Sequence, residues 1–230
     1  MTKSVHQSSL VLESLGDFIF PKTCALCPNH GETVCRDCEK ELKRAIPRCI
    51  VCSRNNILGK TCPLCQKKNA PKLTISVFSY QKGAKDLIKS FKYEDIASLK
   101  IFFAKRLASV IKTLSDYKDY AIVPIPLAPS RKRYRGYNQS ELLAREVEKI
   151  LKLPFYDCLK RVESRHPQVS SLSKEERMKN IKGVFISREK SPEKVLLLDD
   201  VITTGATMRE AAKTLKKSGT KEIICCSVAM

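Results

Sequence analysis

A parallel α/β sheet preceded by a cysteine-rich segment is the fold this 230-residue sequence predicts. Three observations carry that reading. Lys194–Leu198 and Glu222–Ala229 are apolar runs of the kind found in strands covered on both faces. Strand-like and helix-like segments alternate from residue 72 onward. Eight of the 11 cysteines fall into four CxxC pairs in the N-terminal third. The expected division is residues 1–70 for an N-terminal helix and the cysteine module, and 71–230 for the α/β domain.

Residues 1–20 read as a short amphipathic helix, with Val11, Leu15, Phe18 and Ile19 at helical spacing. Residues 21–70 hold the cysteines, broken by Pro21, Pro28, Pro47 and Pro63, with Pro71 just beyond. Lys72–Tyr80 alternates like a strand. Lys82–Tyr93 and Ala97–Leu114 read as helices. The second places Ile101, Lys105, Ala108, Ile111 and Leu114 on one face, with Lys105 at its edge. Tyr120–Ile125 is the first core strand. Gln139–Leu151 is a helix with Leu143, Val147, Ile150 and Leu151 on one side. Asn138 and Glu141 have capping-box spacing at its start. Gly183–Ser187 is a further strand. Met208–Lys217 is a helix with Met208, Ala211, Ala212 and Leu215 in register and Gly219 at its end.

The chemistry concentrates where the strand at 194–198 meets the helix at 208–217. The intervening residues are Asp199, Asp200, Val201, Ile202, Thr203, Thr204, Gly205, Ala206 and Thr207. Ligands of open α/β sheets bind at such carboxyl ends. Amides at a helix start have no intrahelical partner, and the helix dipole there favours negative charge. Gly205 permits close backbone approach, and three threonines add hydroxyls. That turn suits a phosphate monoester. Asp199 and Asp200 suit a vicinal diol, with Mg²⁺ able to share the site. Together they describe a grip for a ribose 5-phosphate.

A second strand end follows Ile125. Arg131, Lys132, Arg133 and Arg135 read as a basic loop suited to a pyrophosphate or to nucleic-acid phosphates. His166 lies in a third polar segment, Arg161–Phe185, as a lone loop histidine.

The pairs Cys24/Cys27, Cys35/Cys38, Cys49/Cys52 and Cys62/Cys65 have metal-knuckle spacing. Two structural Zn²⁺ sites follow, most simply by sequential pairing, with an interleaved arrangement also compatible with the spacing. Residues 1–20 lack a secretory pattern, so the expectation is a cytoplasmic chain with reduced thiols rather than disulfides. His30 reads as a loop residue outside the ligand set, and Cys225 and Cys226 as core.

Formal net charge is +19; eight thiolates and two zinc ions would lower it by four. Such a field attracts polyanions. Aromatic residues make up 7% and tryptophan is absent, so extensive base stacking is not expected. No apolar run is long enough to span a membrane.

The stretch from Val195 to Thr207 resembles the 5-phosphoribosyl-1-pyrophosphate (PRPP) motif of type I phosphoribosyltransferases. That resemblance implies that Asp199 and Asp200 contact ribose hydroxyls and that Thr203–Thr207 hold the 5′-phosphate. The order of parts over nearly the whole chain resembles the ComF family of competence proteins. The match takes in the double CxxC module, the Arg135–Val147 stretch, the spacing of Gln168, Leu172, Arg177, Asn180 and Phe185, and the PRPP motif. Arg165 stands where members commonly carry threonine. The resemblance implies a type I phosphoribosyltransferase-like domain and a cytoplasmic role with incoming single-stranded DNA in natural transformation. It also implies a competence helicase as a partner. Three functions fit: a DNA-handling protein with a phosphoribosyl pocket, an active phosphoribosyltransferase, and a PRPP sensor without turnover.

Overall fold

The computed structural model describes residues 23–67, 69–93, 96–162 and 181–230. The expected N-terminal helix and the segment around Arg165 and His166, up to Asn180, lie outside the described residues.

The core is a four-stranded, all-parallel sheet. Its strands are β1 (Leu73–Phe78), β2 (Ala121–Pro124), β5 (Lys194–Val201) and β6 (Glu222–Ala229), in the order β1-β6-β5-β2. Alternation along β5 and β6 divides the interior into two halves. Leu196, Leu198, Ile224 and Cys226 face one side, where Phe91, Phe103, Leu107, Leu143 and Val147 pack against them. Val195, Leu197, Ile223 and Cys225 face the other, against Met208, Ala211 and Leu215. Burial on both faces is why these strands read as unbroken apolar runs.

Helices α2 (Lys82–Tyr93), α3 (Ile96–Ile111) and α5 (Gln139–Leu151) supply the first half, and α6 (Ala206–Lys217) the second. A short helix, α1 (Arg36–Glu41), sits in the cysteine module. In α3 the buried stripe is Leu99, Phe103, Ala104, Leu107, Ala108 and Ile111, while Ile101 and Lys105 are exposed. The expected face was rotated, because Phe102 and Phe103 bury more apolar area than Ile101 and set the helix's orientation.

Two further expectations change. The basic segment after Ile125 is not a loop but a short helix, α4 (Pro129–Arg135), with proline in its first turn. Gly136 ends it in the left-handed conformation, its amide donating to the Lys132 carbonyl at 2.8 Å. The strand expected at 183–187 is shorter, β4 (Phe185–Ser187), and does not join the parallel sheet. It pairs antiparallel with an unanticipated strand, β3 (Leu159–Arg161). Three-residue strands carry too little alternation to be read from a sequence.

The cysteine module lies along the outer edge of β1. The Ala45 amide donates to the Val77 carbonyl at 3.1 Å, and the Thr61 amide to the Lys72 carbonyl at 3.0 Å. Those contacts satisfy backbone groups that an edge strand would otherwise leave open.

Candidate phosphoribosyl cleft and metal centres

The carboxyl ends of β5 and β2 lie side by side, because Pro124 pairs with Leu198 in the register of the two strands. A cleft of about 140 Å³ opens there, lined by Asp199, Asp200 and Thr207 together with Arg131 and Arg135.

Each carboxylate is oriented by the backbone that follows it. The Asp200 amide donates to Asp199 Oδ1 at 2.9 Å, and the Val201 amide to Asp200 Oδ1 at 2.8 Å. Ser140, in the first turn of α5, donates its hydroxyl to Asp199 Oδ1 at 2.6 Å. Burial, and next the charge of Asp200, push the Asp199 carboxyl up to about 7, against the pull of the Ser140 hydroxyl and the Asp200 amide. Asp200 in turn meets the ammonium of Lys92, 2.7 Å from its Oδ2. Two adjacent acids are thus held apart in character, one near its titration midpoint at neutral pH and one ion-paired.

The turn after them leads into α6. Thr203 is exposed, and Thr204 and Thr207 are half-buried. Gly205 is the N-cap at φ +70, and the first turn begins at Ala206. The Arg209 amide makes the first intrahelical bond, to the Gly205 carbonyl at 2.9 Å. The Thr204 hydroxyl accepts from the Ala206 amide at 3.3 Å. The Thr207 and Met208 amides of the same turn have no intrahelical acceptor. Gly205 has a second reason to lack a side chain. A Cβ there would lie 2.6 Å from Ile50 Cγ1 and 2.8 Å from its carbonyl oxygen. Its far side is therefore packed on the cysteine module, which the expectation of close ligand approach alone does not contain.

The four expected cations separate. Arg131 and Arg135 line the cleft. The Arg135 guanidinium lies over the Tyr93 ring at 5.1 Å, and donates to the Tyr93 hydroxyl at 3.0 Å and to Gln139 Oε1 at 3.3 Å. Lys132 instead points toward Glu141, 3.8 Å away, and Arg133 is exposed on the same helix. Glu141 thereby departs from the expected capping box, whereas Asn138 caps α5 by accepting from the Ser140 amide at 3.3 Å.

Lys92, Ser140 and Arg161 join the cleft without having been singled out in the sequence. Ser140 was legible in principle, two residues past a capping asparagine. Lys92 and Arg161 were not: each is one basic residue among 43, and only tertiary folding brings Lys92 to Asp200 and Arg161 to the cleft.

At the other end of the chain the cysteines form two groups by sequential pairing. The sulfurs of Cys24, Cys27, Cys35 and Cys38 all lie within 4.8 Å of one another, as do those of Cys49, Cys52, Cys62 and Cys65. Within them Cys27 and Cys35 are 3.7 Å apart, and so are Cys52 and Cys62. A tetrahedral ion with metal–sulfur bonds of about 2.3 Å has sulfur–sulfur edges of about 3.8 Å. Each group could therefore hold a metal ion. In the second, burial opposes ionisation of Cys49, but the Cys52, Cys62 and Val51 amides outweigh it and draw the thiol down to about 6. In the first, burial likewise opposes ionisation of Cys24, which the Cys35 and Leu26 amides bring to about 7. His30 stays outside both groups, exposed and 3.3 Å from the Thr23 hydroxyl. Cys158, Cys225 and Cys226 are buried core residues. No helix among the described residues is long and apolar enough to cross a membrane.

Competence protein F of Haemophilus influenzae is 32% identical to this chain over 202 residues, spanning 83% of this chain and 87% of that protein. Competence protein ComFC of Streptococcus pneumoniae is 30% identical over 203 residues, spanning 86% and 88%. The chain belongs to the ComF family of competence proteins. DNA utilization protein YhgH of Escherichia coli (strain K12) is 29% identical over 199 residues, spanning 74% of this chain and 85% of that protein. Residues 135–230 match the phosphoribosyl transferase domain. This ComF-family chain therefore combines a phosphoribosyltransferase-like parallel α/β fold with two N-terminal four-cysteine groups. The domain match begins at Arg135, so it includes the acid pair and its turn, while Lys92 and Arg131 lie upstream.

Proposed function

We propose that this ComF-family chain handles single-stranded DNA entering the cytoplasm during natural transformation, and that the cleft binds a phosphorylated ribose. One observation supports the pocket above all others. Two oriented carboxylates, the start of α6 and the Arg131/Arg135 pair share one cleft at the carboxyl edge of the sheet. In this reading Asp199 and Asp200 accept hydrogen bonds from the ribose diol. Thr203, Thr204, Gly205, Ala206 and Thr207 form the turn that receives the 5′-phosphate. Arg131 and Arg135 receive a pyrophosphate, or the next phosphates of a strand. Lys132 and Arg133 continue that cationic track on the exposed side of α4. The names of the relatives support the DNA part of the reading, as does a net charge of +19. Both four-cysteine groups hold structural Zn²⁺, because four thiolates leave no open coordination position. The chain divides into an N-terminal zinc module over residues 1–70 and the phosphoribosyl domain over 71–230. A competence helicase is the protein partner.

A second reading is favoured by the presence of Arg131 and Arg135 in the same cleft as the acids. An active phosphoribosyltransferase needs cations where pyrophosphate leaves the anomeric carbon, and carboxylates beside the positive charge that develops on the ring. The bond from C1 to pyrophosphate breaks, and the acceptor's electron pair forms the new bond at C1. PRPP would bring Mg²⁺, which neutralises the departing phosphates.

Titrating single-stranded DNA at several salt concentrations tests the first reading. Micromolar or tighter affinity that falls with salt is expected; no binding at low salt rejects it. Pyrophosphate release from PRPP across a panel of bases and amines tests the second. Binding of PRPP without release marks a sensor, and release unchanged in Asp200→Ala removes the role given to that residue.

A further inference from the structure

Ile50 belongs to the second cysteine group by sequence and to the phosphate turn by packing. It follows Cys49 directly, and both are almost completely buried. It shares the second half of the core with Val123, Ile125, Ile202 and Met208, the residues that flank the carboxyl ends of β2 and β5 and the start of α6. Its Cγ1 and carbonyl oxygen fill the space where a side chain on Gly205 would stand. The back of the turn therefore rests on the Cys49–Cys52 knuckle rather than on the sheet alone. That knuckle is a tight reversal, closed by a 2.9 Å bond from the Ser53 amide to the Cys49 carbonyl, with Ser53 at φ +61. Four thiols cannot hold such a geometry by apolar packing, because three of them are not buried. A metal ion can.

The first group is attached elsewhere. Its Leu26 and Leu42 side chains lie against Gly83 at the start of α2, and Glu39 forms a two-pronged ion pair with Arg106 of α3. The contacts at Gly83 lie at the opposite end of α2 from Lys92.

We infer that Ile50 is a positioning residue for the phosphate turn, and that occupancy of the second metal site, not the first, sets how well the turn binds a phosphorylated sugar. The ligand part of this inference rests on the phosphoribosyl reading given above. The coupling itself does not, since it concerns only the knuckle and the turn. Amide donors must be aimed before the anion arrives to bind it well, so a turn that loses its backing loses affinity without losing its residues.

The experiment uses the full-length, zinc-loaded protein. Wild type, Ile50→Ala, Ile50→Val, Cys62→Ser/Cys65→Ser and Cys35→Ser/Cys38→Ser are compared by zinc content, by hydrogen exchange and by titration with PRPP and Mg²⁺. Exchange at Thr204–Arg209 should accelerate about tenfold or more in Ile50→Ala and in the second-site variant. The PRPP dissociation constant should rise about tenfold in both, the size of effect seen when support for a binding group is lost. Ile50→Val should restore most of both. The first-site variant should lose one zinc and leave turn exchange and PRPP affinity within about twofold of wild type. Equal turn exchange in Ile50→Ala and wild type overturns the inference, as does an equal effect from the two metal sites. If the second-site variant does not fold, the two Ile50 variants decide, since they keep every thiol. If wild type binds no PRPP, the phosphoribosyl reading fails, and turn exchange alone still decides the coupling.

Discussion

The two strand-to-helix junctions at the carboxyl edge of the sheet face one another but are built on opposite plans. After β5 the chain makes a turn packed on its back, with acids oriented by the next amides and a glycine fitted against Ile50. After β2 it enters a short helix whose side chains at Arg131, Lys132 and Arg133 are exposed, while Arg135 is half-buried against Tyr93 and Gln139. The first junction has precision and little reach. The second has reach, with its cations on an exposed helix face. That difference suits a ligand with one small end gripped tightly and a charged remainder of variable length. A phosphorylated ribose with a trailing pyrophosphate, or with a trailing strand, is such a ligand.

The comparison breaks most visibly at Gly205. Gly205→Ala puts a methyl group into Ile50 at a backbone angle that L-residues disfavour. A loss of about 3 kcal/mol of unfolding free energy is expected in urea denaturation. Gly136→Ala, at the other junction, meets nothing within 4 Å of its new methyl group. It should cost only the left-handed strain, about 1 kcal/mol. Equal losses would mean that the two turns are equally constrained.

Removing the cations tests reach. Arg131→Ala/Arg135→Ala should weaken PRPP binding by about 2 kcal/mol, the worth of charge-assisted hydrogen bonds. It should weaken ribose 5-phosphate binding far less, because that ligand ends at the first junction. Calorimetry on both ligands separates the two effects; equal losses would move the arginines into the sugar site.

A further test concerns pH. The folded-state pKa of Asp199 is raised, so the folded protein holds a proton there that the unfolded chain has released. Stability from this group is therefore greatest at acid pH and falls as pH rises from about 4 to about 7. The slope is at most one proton, about 1.4 kcal/mol per pH unit. Asp199→Asn should flatten that part of the curve in denaturation series between pH 4 and 8. An unchanged slope would place the titration elsewhere.

The junctions also differ in how much of them the sequence discloses. The first is contiguous: strand, acids, turn and helix run from Val195 to Lys217, so spacing alone conveys its chemistry. Hidden there were Ile50, 155 positions before Gly205 in the chain, and the partners of the two acids, Ser140 and Lys92. The second depends on residues gathered from three places. Arg131 and Arg135 could be read because they cluster, but Lys92 and Arg161 look like any solvated base until the fold delivers them. The sheet followed from apolar runs covered on both faces, whereas the β3–β4 pair and the rotation of α3 depended on packing choices between neighbouring side chains. The cysteine groups were legible because a CxxC turn is local, and their sequential pairing needed the fold.

The most direct test of the phosphoribosyl site is a crystal of the zinc-loaded protein soaked with ribose 5-phosphate. The phosphate should lie against the Thr204–Met208 backbone at the start of α6, with the diol toward Asp199 and Asp200 and Lys92 beside the second acid. The compound bound at any other place, with this turn unoccupied, would contradict the account.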